Sequence, residues 1–265
     1  MRFSARFHIP REHGAWGMYL VSFLAGALGA GRWSQALIWL GIATLMAFLA
    51  RDPLLYWLRC RRRGRPAGTA AALALAEAGG SMAAAGVLLL AYDLWGLLPL
   101  LAAALVLSSV HLGQAIRGRE RSLPGEGVAI LGVTLSAPAA RYSATGAWDP
   151  ACLWLWGLCF LFFASSVFYV RLRVGTSHPG KRNDIRRRQR QCALYHAALC
   201  VGLLLLIWAE KLSLLAGLAF AAILVRAAWF LIRPTRELNL RHVGYLEAGY
   251  SLLFLVLMAM AFRPL

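Results

Sequence analysis

The chain has 265 residues, 60% of them hydrophobic, with a mean hydropathy of +0.62 and a net charge of +17. Apolar runs of bilayer-spanning length recur from end to end, which excludes a soluble globular class and predicts an all-α, polytopic membrane bundle. The arginines fall between those runs, where membrane topology accounts for them, so the charge implies no nucleic-acid partner.

The five cysteines (Cys60, Cys152, Cys159, Cys192 and Cys200) show no C-x-x-C spacing and give no zinc or disulfide framework. Residues 1–14 are too polar for a cleaved signal peptide and read as a retained cytoplasmic arm. Nine spans follow: Ala15–Ala30, Ser34–Ala50, Thr69–Tyr92, Trp95–Ala115, Gly127–Ala140, Pro150–Val170, Cys192–Ala209, Leu212–Ile232 and Gly244–Phe262. Spans two and five are short and need flanking residues to cross. The whole chain, 1–265, reads as one integral membrane domain with basic loops at 51–68, 116–126, 171–191 and 233–243. Pro53 disfavours helix at Asp52, so the second span should end near Arg51. Asp52 should then cap a short surface helix that Gly64 stops after Arg63.

The arm and the even-numbered links carry 23 Lys and Arg, against 4 in the odd-numbered links and the C-terminus. The positive-inside rule therefore places the N-terminus in the cytoplasm and the C-terminus outside. All six histidines fall on or near the same cytoplasmic side, which that rule does not require. A binding or active site is accordingly expected there. Phe48-Leu49-Ala50-Arg51 and Phe168-Tyr169-Val170-Arg171 end spans two and six alike, the spacing a duplicated four-helix unit would give.

Four constellations have the chemistry for such a site. Arg11, Glu12 and His13 stand just before span one, where they can bind an anion and move a proton, or simply anchor membrane insertion beside Trp16. Arg51, Asp52, Arg59 and Arg65 lie in the span-two exit, either as ligand contacts or as a positive-inside surface cluster. Tyr169, Arg171, Arg173 and Lys181 lie at the span-six exit, where guanidinium groups suit phosphate or carboxylate. The Arg186–Arg190 run reads as a solvated patch facing lipid headgroups. The fourth set is polar groups near or inside spans: His111, Gln114, Glu77, Glu126, Arg226, Arg241, His242 and Glu247. An ion pair of Arg226 with Glu247 or Glu77 either locks two helices or faces a cavity. Haem is disfavoured, because no C-x-x-C-H occurs and no histidine pair occupies mid-span.

Ile9-Pro10-Arg11-Glu12-His13-Gly14-Ala15-Trp16, the Phe-Leu-Ala-Arg51-Asp52-Pro53-Leu54 stretch and the late Arg-His-Val-Gly-Tyr-Leu-Glu247 resemble the YwiC-like family of bacterial membrane proteins. More distantly, nine helices with functional loops after spans two and six look like the UbiA superfamily of intramembrane prenyltransferases. That resemblance implies an isoprenoid diphosphate held by magnesium on aspartate-rich loops. Arg51-Asp52 stands where such a motif would begin and Arg65-Pro66 where it would end, but Leu55 and Arg59 occupy its other aspartate positions. No cofactor is therefore expected, and the acidic motifs that would hold magnesium are missing. The reading is a UbiA-like protein that binds an isoprenoid or lipid phosphate in an arginine-rich cytoplasmic pocket. Its catalytic form is a divergent prenyl-type transferase, with His13 and Asp52 moving a proton. The alternative is a non-catalytic membrane accessory or lipid-binding protein, or a small-molecule carrier.

Overall fold

The structure, a computed structural model, describes residues 13–177, 182–233 and 240–264. Eleven α-helices make up these residues: α1 His13–Gly29, α2 Ala36–Arg62, α3 Gly68–Leu90, α4 Leu98–Ile116, α5 Leu123–Thr134, α6 Ser136–Thr145, α7 Pro150–Ser177, α8 Arg182–Trp208, α9 Leu214–Leu218, α10 Ala221–Ile232 and α11 Leu240–Phe262. No strand occurs among the described residues. Eight stretches are long and apolar enough to cross a membrane, and the shorter apolar Gly14–Gly29 is a ninth. Each coincides with one of the nine spans read from the sequence. Two of them, Leu123–Thr145 and Leu214–Ile232, are built from two helices in succession, α5 with α6 and α9 with α10.

The sequence reading needs correction at Pro53. It does not end a helix: α2 runs unbroken to Arg62 with Pro53 buried inside it, and Asp52 lies mid-helix rather than at a helix start. A proline removes one backbone hydrogen bond, but apolar burial on both sides of it, at Ala43, Ala50 and Leu55, holds the helix together. Gly64 does stop it. With φ +63°, Gly64 takes the left-handed turn, and the Arg65 amide bonds the Cys60 carbonyl at 2.9 Å. Much of the basic 51–68 and 171–191 segments is thus helix end rather than loop, through Arg62 and Ser177 and again from Arg182.

The chain forms two compact units, residues 1–156 and 157–265. In the first, α2 pairs with α3, α1 packs on α6, and α4 on α5. The α1–α6 seam is made by small residues. Ala25, Ala137 and Ala140 are completely buried, and a Cβ on Gly26 would run into the backbone carbonyl of Ala137. Gly26→Leu is expected to lower the stability of this unit by about 1–3 kcal/mol through overpacking, read as a lower melting temperature in detergent.

Two arginines close one end of this unit by capping each other's helices. Arg141, near the end of α6, donates to the Gly29 carbonyl at the end of α1 (2.7 Å). Arg32, just past α1, donates to the Thr145 carbonyl at the end of α6 (2.8 Å). Each cation thus satisfies a terminal carbonyl that its helix leaves unpaired, at the negative end of the helix dipole. The other edge of Arg141 grips Asp149 in a fork, Nε at 2.9 Å from both carboxylate oxygens and Nη2 at 2.6 Å from Oδ2. Beside it, the Gly96 amide donates to Tyr142 Oη (3.1 Å) and Trp148 Nε1 donates to the Gly96 carbonyl (3.0 Å).

Hydrogen bonding from Arg141 holds the Asp149 carboxyl below its ordinary pKa. A carboxylate depressed on folding contributes stability that is complete above the unfolded value and is lost as pH falls through the folded one. Acidification below about pH 4 should therefore lower the melting temperature of the wild type more than that of Asp149→Asn, which has no such proton to take up. Equal losses in the two proteins would remove Asp149 from the acid response.

The second unit is centred on three completely buried rings. Phe162 stacks on Phe254 with centroids 4.1 Å apart, and Phe220 meets both edge-on.

Candidate functional site

The polar residues singled out in the sequence fall into two groups, one in each unit. In the first unit, α2 and α4 bring Arg51 against His111, Nη2 to Nε2 at 3.0 Å. A guanidinium has only donors, so Nε2 accepts and the neutral imidazole carries its proton on Nδ1. Asp52 stands beside them, its Oδ1 3.7 Å from Arg51 Nη1, an ion-pair distance rather than a hydrogen bond.

One helical stretch further on, Arg59 Nη2 bonds Glu120 Oε2 at 2.6 Å and approaches the Ala115 carbonyl at 3.4 Å. Arg61 lies over the Trp57 ring, 5.4 Å from its centroid. Arg62, Arg63 and Arg65 are exposed. From Arg51 to Arg65, the end of α2 and the residues just past it thus carry six arginines; Asp52 lies at ion-pair distance from Arg51, and Glu120 pairs with Arg59. Gln114 lies one turn below, its carbonyl accepting the Arg119 amide at 2.9 Å. Glu126 sits in the first turn of α5, behind the Ser122 N-cap.

In the second unit the charged residues lie deeper. Arg226 on α10 is buried and pairs through Nη1 with Glu247 Oε1 on α11. The other carboxylate oxygen accepts from Ser166 Oγ on α7 at 2.6 Å. The guanidinium carbon lies 4.1 Å from the centroid of the Tyr169 ring and 5.3 Å from that of Tyr250. Arg226 is six residues before the end of α10, about 9 Å along the helix, which places the pair inside the spans. Neighbouring His196 is also buried and satisfied. Its Nδ1 faces the Cys192 carbonyl at 2.8 Å, so that nitrogen donates and Nε2 accepts from Ser165 Oγ at 2.8 Å. Arg173 packs on Phe230, 4.7 Å from its centroid, and the Arg171 carbonyl accepts from Arg188 Nη1 at 2.9 Å.

Of the candidate residues, Arg51, Asp52 and His111 meet in the first unit, with Arg59 apart on Glu120, and Tyr169 and Glu247 meet around Arg226 in the second, with Arg173 apart on Phe230. Of the two acids considered for Arg226, the partner is Glu247. Arg11, Glu12 and Lys181 lie outside the described residues, as do the side chains of His13 and Arg241. Glu120, Ser166 and Tyr250 are absent from the sequence reading. Glu120 is one acid within a basic link, and Ser166 and Tyr250 sit unmarked in apolar runs, so only the fold reveals them. Among the described residues no three His, Cys, Asp or Glu side chains are grouped to hold a metal ion. Asp52, one carboxylate beside a guanidinium, does not fit the oxygen-rich shell that magnesium requires.

A family model described as YwiC-like protein matches residues 9–141, which takes in α1 to α5 and all but the end of α6. The match stops short of the Arg241–Glu247 stretch. No curated protein and no solved structure matches the chain.

Proposed function

We propose that this chain, which belongs to the YwiC-like family, binds the anionic headgroup of a membrane amphiphile, a lipid or isoprenoid phosphate, at the basic end of its first unit. The observation that carries this reading is the Arg51–His111 contact. Helices 60 residues apart in sequence bring a guanidinium and an imidazole together beside one carboxylate, at the point where a span meets a cluster of arginines. An incoming phosphate would accept from Arg51, and His111 can take a proton as the anion replaces it on the guanidinium.

The positive-inside count supports a cytoplasmic location for this end, in a bacterial plasma membrane with the N-terminus inside and the C-terminus outside. The catalytic form of the reading is a UbiA-like, prenyl-type transfer in which Arg51 stabilises the leaving phosphate and Asp52 handles a proton. The non-catalytic form makes the same contacts without turnover.

Arg51→Lys keeps the charge but loses the planar fork. It should weaken retention of phosphate-bearing lipid after gentle purification, read by native mass spectrometry, by about 1.5–3 kcal/mol, the worth of one charged hydrogen bond. The exposed Arg187→Lys should retain as much lipid as the wild type. Equal retention in all three proteins would leave the arginines with a topological role alone.

A further inference from the structure

Arg226 offers more than its ion pair uses. Its Nε and Nη2 are buried and have no hydrogen-bond partner among the described residues, although the residue is 8% exposed. These two nitrogens form one edge of the guanidinium, the side-on fork that binds the two oxygens of a carboxylate or phosphate in parallel. Arg141 in the first unit shows the same edge in use, with Nε and Nη2 both on Asp149. Glu247 does not take that edge of Arg226. It meets Nη1 with one oxygen and gives the other to Ser166.

A buried donor left without a partner is costly, so two on one side chain inside a span call for one. We propose that Arg226 is the anchor of a second binding site, distinct from the Arg51 region, for the carboxylate or phosphate headgroup of an amphiphile within the membrane. The Nε–Nη2 edge receives two oxygens of the ligand, while Tyr169 and Tyr250 flank the guanidinium and Ser166 keeps Glu247 in place.

Charge balance sets a condition on binding. Arg226 and Glu247 together are neutral, so an added anion would leave one negative charge in the span. Uptake therefore brings one proton, which rests on Glu247, where Ser166 Oγ adjoins the same carboxyl. Among the described residues, the other titratable groups around the pair are Tyr169 from α7, Cys192 and His196 from α8 and Tyr250 from α11. A phenol or thiol already carries its proton, and His196 Nε2 is taken by Ser165 Oγ, which leaves Glu247 as the group that gains one.

The test uses the full chain in nanodiscs of zwitterionic lipid, titrated calorimetrically with dodecyl phosphate and with laurate at pH 6 and pH 8. Inorganic phosphate and acetate serve as the soluble counterparts. Saturable binding of the two amphiphiles is expected, tighter at pH 6, with about one proton taken up per ligand in buffers of different ionisation enthalpy. Arg226→Lys should weaken it about tenfold or more, the loss of one charged hydrogen bond. Glu247→Gln should strengthen it at pH 8 and abolish the proton uptake, because the site is then positive without a proton. That second variant keeps the proposal testable if Arg226→Lys folds poorly. Binding of the soluble anions alone, with no gain from the alkyl chain, would overturn the membrane ligand. Unchanged affinity in both Arg226→Lys and Glu247→Gln would overturn the site. Binding lost only in Arg51→Lys would assign the ligand to the first unit and overturn it as well.

Discussion

Glu247→Ala should cost the second unit about 3–5 kcal/mol, because it leaves the buried Arg226 cation without its carboxylate and Ser166 without its acceptor. The expected readout is a large drop in melting temperature in detergent, with less folded protein recovered from the membrane. The double variant Arg226→Met/Glu247→Leu should regain most of that loss, since apolar side chains of similar volume need no partner. A double variant as unstable as Glu247→Ala would instead assign the loss to packing around α11 and not to the uncompensated charge. The comparison also separates stability from binding, for the double variant should be firm yet lose the proton-coupled uptake of dodecyl phosphate that Arg226 and Glu247 confer.

Arg141→Met should be comparably damaging to the first unit, also by about 3–5 kcal/mol. One substitution removes the fork on Asp149 and the cap on the Gly29 carbonyl. Arg141→Lys keeps the charge but reaches one of these partners at a time, so it should recover only part of the loss. Limited proteolysis should then open the α1–α2 and α6–α7 links, while the Arg51–His111 end resists. If Arg141→Met melted like the wild type, the cross-capping would be a surface ornament with no part in stability.

The spans were legible because hydropathy over about twenty residues reports membrane crossing whatever the tertiary contacts. The same signal does not see inside a span. It cannot show that residues 123–145 and 214–232 are each two helices, since the breaks at Leu135 and at Ala219–Phe220 fall among apolar residues. Pro53 was misread for a related reason. Local backbone preference argues for a stop at that point, but burial of one helix face on both sides of it outweighs a single missing hydrogen bond.

The candidate site was legible in part. Arg51 and His111 stand out as basic side chains where spans end, and Arg226 and Glu247 as charges in apolar surroundings. The sequence offered Glu247 and Glu77 for Arg226 without choosing between them and named no partner for Arg51, because each pairing depends on how helices far apart in the chain are turned about their axes. Arg59 gives the plainest case. Its partner, Glu120, lies 61 residues away in a link whose sequence reads only as basic.

The crossed caps of α1 and α6 also bear on the order in which the first unit can be assembled during synthesis. Arg141 and the Gly29 carbonyl are 112 residues apart, and Arg32 and the Thr145 carbonyl 113. Neither helix has its closing contact until the polypeptide has emerged past the sixth helix, so α1 must wait in the bilayer, or in the insertion machinery, with a raw terminus. Ribosome-stalled chains that expose residues up to 130 should leave α1 open to cross-linking by lipid probes, and chains that expose residue 155 should close it off.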